Sequence, residues 1–260
     1  MSNRDKTALM DGMPCFPMLK SVTIPVNDLT KIPHQKQEFI MFSSHYRILI
    51  VCLFWIVFQT TQAYSEDCVH GNNIPTTEKR PAAAFHTVNA KGAFDIDIRN
   101  RQSVKLTVTA DQNLLPSIIT KVEGGTLYIY ADRSICTKRS LAILIEGKDI
   151  QKIQSSGAND ISYSDIQADK LEIIVDDAGE IHLSGKSKTL IARLSDAADM
   201  EAENLRANEV DISASGACDA TVYASKKLNA VITGSGTITV HGNPEAVTKK
   251  ISDAGELVLE

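Results

Sequence analysis

Apolar and polar residues alternate with period two through most of the C-terminal half of the chain, and the alternation restarts at regular intervals. A six-residue segment marks each restart: SGANDI at Ser156, DDAGEI at Asp176, SDAADM at Ser195, SGACDA at Ser215, TGSGTI at Thr233 and SDAGEL at Ser252. The start-to-start distances are 20, 19, 20, 18 and 19 residues. Ahead of the segment, Leu171, Leu190, Val210, Leu228 and Val247 share one position, and Val175, Leu194, Ala214, Ile232 and Ile251 another. A weaker column between them (Ile173, Ala192, Ile212, Ala230) is broken by Lys249. Behind it come Ile161, Ile181, Met200, Ala220, Ile238 and Leu257, then Tyr163, Leu183, Ala202, Val222, Val240 and Leu259. The intervening Ser162, His182, Glu201, Thr221 and Thr239 are polar. Such alternation is the mark of strands with one buried face. Each repeat therefore predicts strand, tight turn, strand, and a connection of about five to seven residues that varies between copies.

The hexapeptide reads as the turn. Its second position is Gly or Asp (Gly157, Asp177, Asp196, Gly216, Gly234, Asp253) and its fourth is mostly small or Asn (Asn159, Gly179, Ala198, Gly236, Gly255), types that tolerate tight or left-handed backbone. The third is small throughout (Ala158, Ala178, Ala197, Ala217, Ser235, Ala254), which predicts a side chain pressed against the interior at a corner. No single repeat can bury its apolar face, so the repeats must stack. At about 4.8 Å per layer, six of them rise roughly 24 Å. The predicted fold is an all-β, parallel β-helix or solenoid with coils of about 19 residues, right-handed by the chirality preference of parallel crossovers.

Upstream, Phe94–Ile98, Val104–Val108, Leu127–Tyr130 and Leu141–Ile145 also alternate, with Gly124-Gly125 as a turn ahead of the third. They lack the hexapeptide and are expected to form the less regular, strand-rich opening of the same domain. Residues 64–83, with Gly71, Asn72, Asn73 and Pro75, look like a flexible leader.

Further toward the N-terminus, Ile48–Phe58 is an apolar run preceded by Arg47 and followed by a polar stretch, with Thr61-Gln62-Ala63 as a cleavage site. It is short for a membrane span. Basic flank, apolar core and small-residue exit together predict a secretory signal cleaved after Ala63. Met41 stands where a signal peptide of ordinary length would begin, so residues 1–63 are read as an upstream extension plus the signal; the competing reading is an uncleaved anchor. Processing would remove Cys15 and Cys52, leaving Cys68, Cys136 and Cys218 in an oxidising compartment. Cys68 and Cys136, both outside the repeats, are a candidate pair.

The opening AFHTVNAKGAFDIDI, the segment TADQNLLPSIITKVEGGTLYIY and the serial turns ending in GSGTITVHGNP closely resemble the head GIN domain family of auto-transporter adhesin domains. The resemblance spans about residues 84–260. Turns such as DDAGEI and SDAADM carry Asp where the family usually has Gly. The resemblance implies an exported bacterial protein with a right-handed β-helical fold, and it carries over no catalytic residues.

Composition narrows the chemistry. With 27 Lys+Arg against 32 Asp+Glu the chain is mildly acidic, which excludes the broad positive field of a nucleic-acid partner. The fifth turn position is acidic in five copies: Asp160, Glu180, Asp199, Asp219 and Glu256, with Thr237 the exception. Stacked carboxylates repel unless solvated or bridged by cations, so Ca2+ along this ladder is the one cofactor chemistry the pattern raises; acidic turn residues also simply hydrogen-bond local backbone. A β-helical polysaccharide lyase or hydrolase needs its acids and bases gathered in a groove. Here the acidic groups are spread by the repeat, and Arg193, Arg206, Lys226 and Lys227 fall at unrelated points, so no catalytic or cofactor-binding residue is assigned. His182 and His241 read as surface histidines, Cys218 as a tolerated turn residue, and Tyr128 with Tyr130 as packing. The reading is an exported, periplasmic or cell-surface, non-enzymatic module that contacts envelope polysaccharide or a surface protein. The competing readings are an enzyme acting on polysaccharide and a structural protein self-associating through its terminal coil, where Leu257–Glu260 leaves an open strand edge flanked by Lys249 and Lys250.

Overall fold

The apolar column behind the turns lines up from one repeat to the next. In the computed structural model, which describes residues 68–260, Ile96 pairs in register with Ile161, Ile161 with Ile181, Ile181 with Met200, Met200 with Ala220 and Ala220 with Ile238. All six side chains are 0–4% exposed. An isoleucine or methionine buried so completely contributes about 1.5–3 kcal/mol, and in a stacked column each also packs on the apolar residues above and below. This is what selects the parallel register.

The stacked strands form two walls that meet at the hexapeptide turns. One wall runs through β6 (Ile118–Glu123), β7 (Thr126–Ala131), β3 (Thr87–Gly92) and β10 (Lys152–Gly157). It continues into the later halves of β11 (Asp160–Asp177), β12 (Glu180–Asp196), β13 (Asp199–Gly216) and β14 (Asp219–Gly234), and ends on β16 (Ala246–Asp253). The other wall runs through β2 (Pro75–Arg80), β5 (Lys105–Asp111), β9 (Ala142–Gly147) and β4 (Asp95–Asn100), then the earlier halves of β11–β14, then β15 (Thr237–His241) and β17 (Glu256–Leu259). Pairing is parallel along both walls except at the opening end, where β6 pairs antiparallel with β7 and β2–β5–β9 form an antiparallel ribbon. Gly124 and Gly125, both at positive φ, make the tight turn between β6 and β7.

The turns keep their predicted conformation but not their predicted orientation. All six second-position residues have φ between +63° and +118°. At Gly234 a Cβ would stand 2.2 Å from the Gly216 carbonyl oxygen of the coil before it, so only glycine fits there. The third position, expected to face the interior, is exposed in every copy, and in five of the six its backbone N–H bonds to the preceding coil, as in Ala197 to Asp177 O and Ala217 to Asp196 O. The fourth points inward: Asn159, Ala198 and Cys218 are 0–1% exposed. Asn159 is fully paired there, accepting from Phe94 N–H and donating to Ser155 Oγ and Ser156 O.

Phe94 belongs to a seventh copy of the turn that sequence reading missed. Gly92-Ala93-Phe94-Asp95-Ile96 joins β3 to β4 and sits directly against Gly157–Ile161. A sequence separation of 65 residues from Phe94 to Asn159 hides it from the 19-residue period. The expected irregular connections are likewise continuous strand. β11, β12 and β13 each run from one turn to the next, rounding the second corner by register shifts at Tyr163/Ile166, His182/Gly185 and Ala202/Ala207.

The leader expected over 64–83 is corrected for its described part. β2 zips along β5 over six residue pairs, Arg80 Nη2 donates to Leu115 O, and β1 (Val69–His70) pairs with β8 (Ile135–Cys136). A disulfide joins Cys68 to Cys136. The apolar run 48–58, Met41, Cys15 and Cys52 lie outside the described residues. At the other end the columns run out into solvent: Val247, Ile251 and Leu259 are 41%, 37% and 55% exposed, where Leu228, Ile232 and Val240 one layer earlier are 0–1%.

Candidate functional site

Because a coil repeats its polar positions as faithfully as its apolar ones, the outer surface carries columns too. On the wall that follows the turns, the predicted ladder residues Asp160, Glu180, Asp199 and Asp219 are successive register partners, and the unpredicted Asp95 extends the row at its start. Glu256 stands apart, because Thr237 lies between it and Asp219. Asp219 Oδ1 accepts the Thr237 N–H at 2.8 Å, and Asp199 Oδ1 accepts the Asp219 N–H at 3.4 Å. Two rungs of the ladder are thus tied to the backbone of the next coil.

Two residues along lies the neighbouring column, Asp97, Ser162, His182, Glu201, Thr221 and Thr239. His182 and Glu201 face each other across one layer, with Nδ1 to Oε2 at 2.9 Å, while His182 Nε2 is 3.2 Å from Glu180 Oε1. Just beyond, Glu180, Asp199, Glu201, Asp219, Thr221 and Thr237 border an open recess of about 380 Å3. Toward the opening end, Asp97 is neutralised by Arg99.

The second corner carries a different surface. Its register shifts open a cleft of about 690 Å3 lined by Lys170, Lys186, Lys188 and Arg206, with Asp149, Asp169, Gln151, Gln167 and Asn208. Gln167, Lys186 and Arg206 are stacked register partners on three consecutive coils. Lys188 pairs with Asp169 at 2.6 Å, and the Arg206 guanidinium lies 4.2 Å from the Tyr223 ring centroid, a cation–π contact. Beneath the cleft, Tyr163 donates from its hydroxyl to Ile150 O, and burial, with the nearby Asp149 charge, pushes its pKa up to about 12. Of the basic residues that had looked unrelated in sequence, Arg206 joins this cleft. Arg193 lies on the other wall near Glu172, and Lys226 and Lys227 are exposed near β14's corner. The sequence signal for the cleft is weak, because coil length varies at this corner and shifts the alignment of Lys186 with Arg206.

Cys218 occupies a fourth turn position, 1% exposed, with its Sγ donating to Ser215 O. Burial raises its thiol pKa, which disfavours the thiolate. His241 is 3.4 Å from Glu260 at the terminal coil.

The described residues thus form a parallel β-solenoid with open recesses on its outer surface. The family profile described as "Putative auto-transporter adhesin, head GIN domain" matches residues 84–244, and the chain belongs to that family. No curated protein matches. Among solved structures, a putative adhesin from Bacteroides fragilis NCTC 9343 is 20% identical at a TM-score of 0.63, covering 74% of this chain and 100% of its own. A putative lipid binding protein from Parabacteroides distasonis ATCC 8503 is 21% identical at a TM-score of 0.50, covering 75% and 100%. A putative adhesin from Parabacteroides merdae ATCC 43184 is 17% identical at 0.50, covering 75% and 99%. These likenesses are of fold.

Proposed function

We propose that the chain is an exported, non-enzymatic binding module of the cell envelope that holds an acidic polymer in the second-corner cleft. The observation that carries this reading is the stacking of Gln167, Lys186 and Arg206 on consecutive coils, beside Lys170 and Lys188, in an open cleft. Donors repeated at the layer spacing of about 4.8 Å suit a ligand that itself repeats, and exposed cationic side chains give salt-sensitive attachment. The family's adhesin description and the apolar run Ile48–Phe58 with its Ala63 exit support placement outside the cytoplasm, in the periplasm or on the surface. The test is a panel of acidic and neutral envelope glycans. Acidic members should bind, binding should weaken with salt, and Lys186→Glu with Arg206→Glu should weaken it about tenfold or more. Retention by neutral glycans alone, or release of shortened product, would refute the reading.

A second reading is favoured by the exposed apolar residues Val247, Ile251 and Leu259 on the terminal coil. They and the outer backbone edges of β16 and β17 fit a second copy of the same coil, giving an end-to-end dimer. Light scattering should then show a dimer that Ile251→Lys dissociates, and a monomer at all concentrations would rule it out.

A further inference from the structure

We infer that Glu180, His182 and Glu201 form a binding site for one divalent transition-metal ion of the Zn2+ type. Each offers a ligand atom, and the three lie within 4.8 Å of one another. Ligand atoms around a tetrahedral Zn2+ stand about 3.4 Å apart, as follows from bonds of about 2.0–2.2 Å. The observed separations, 2.9 Å from Nδ1 to Glu201 Oε2 and 3.2 Å from Nε2 to Glu180 Oε1, are slightly shorter than that and involve different ring nitrogens, so an ion on one nitrogen requires the carboxylate at the other to swing toward it. All three side chains are at least partly exposed, which leaves them room to turn toward an ion.

The backbone is what makes the group a site instead of a passing ion pair. Glu180 and His182 leave one strand on the same face, and Glu201 is held opposite His182 by the ladder of the next coil. The charge around it is unbalanced: Glu180, Asp199, Glu201 and Asp219 border the adjoining recess, and no Lys or Arg lines it. In the same column the layers on either side carry Ser162 and Thr221, so the imidazole is particular to this layer. That nitrogen sets the metal class. Two carboxylates and an imidazole suit Zn2+, Co2+ or Ni2+, whereas Ca2+ takes oxygen ligands only. Water would complete the shell.

The full-length protein, freed of metal by a chelator, is titrated with Co2+ while its visible d–d absorption is followed, and the Co2+ is then displaced with Zn2+. One ion per chain should bind at this site, Ca2+ should compete at least about tenfold more weakly, and His182→Ala and Glu201→Gln should each lower affinity about tenfold or more. His241→Ala, at the other histidine of the repeats, should leave affinity unchanged. Unaltered affinity and spectrum in His182→Ala and Glu201→Gln would overturn the proposal, as would Ca2+ binding as tightly as Zn2+.

Discussion

Ala197 and Ala198 are adjacent, alike in size and both in the third turn, yet the structure assigns them opposite environments: Ala197 faces water and Ala198 is 0% exposed. Substituting each with leucine separates the two. At position 198 the added atoms enter the inner corner, between the layers of Gly179 and Cys218, where the Asp199 N–H to Gly179 O bond fixes the backbone. Overpacking of this kind costs about 1–3 kcal/mol. For a domain of this size about 1 kcal/mol moves Tm by roughly 2–4 °C, so Ala198→Leu should lower Tm by about 2–12 °C. At position 197 the new side chain projects into solvent, and a change within about 0.5 kcal/mol is expected. Thermal unfolding followed by far-UV circular dichroism reads both. A larger loss in Ala197→Leu than in Ala198→Leu would refute the inward assignment of the fourth position and the packing argument built on it.

The folded protein holds the Tyr163 phenol proton up to about pH 12, whereas unfolded tyrosines titrate near pH 10. Its contribution is therefore complete below about pH 10 and lost as pH rises toward 12, and Tyr163→Phe should flatten alkaline denaturation in that window. Reducing Cys68–Cys136, which closes a sequence separation of 68 residues, should lower stability by up to about 4 kcal/mol; an unchanged denaturant midpoint would count against the clamp. Gly234→Ala, at φ +118° and with its Cβ 2.2 Å from a carbonyl oxygen, should cost more than about 1 kcal/mol, measured by urea unfolding.

How much of this could be read from residues alone depended on which physical constraint each residue records. The columns from Ile161 to Leu257 and the left-handed second positions were legible, because burial and positive φ each admit few side chains. The inward direction of the fourth position was not. Small residues fill the third and fourth positions alike, and composition does not say which alanine is enclosed. The seventh turn at Gly92 was hidden by the long excursion through β5–β9, and β2 by a polar composition that suits an edge strand as well as a loop. For the sites, each histidine weighed singly reads as surface. Only the register that sets His182 opposite Glu201 makes a cluster, and only the shifted second corner brings Lys186 beside Arg206.

The stacking itself is tested most directly by nuclear Overhauser contacts between the labelled methyl groups of Ile96, Ile161, Ile181 and Met200. Cross-peaks are predicted for Ile96 with Ile161, Ile161 with Ile181, and Ile181 with Met200, and none for Ile161 with Met200, which lie two layers or about 9.6 Å apart. Missing neighbour peaks, or a strong Ile161–Met200 peak, would contradict a solenoid of stacked coils.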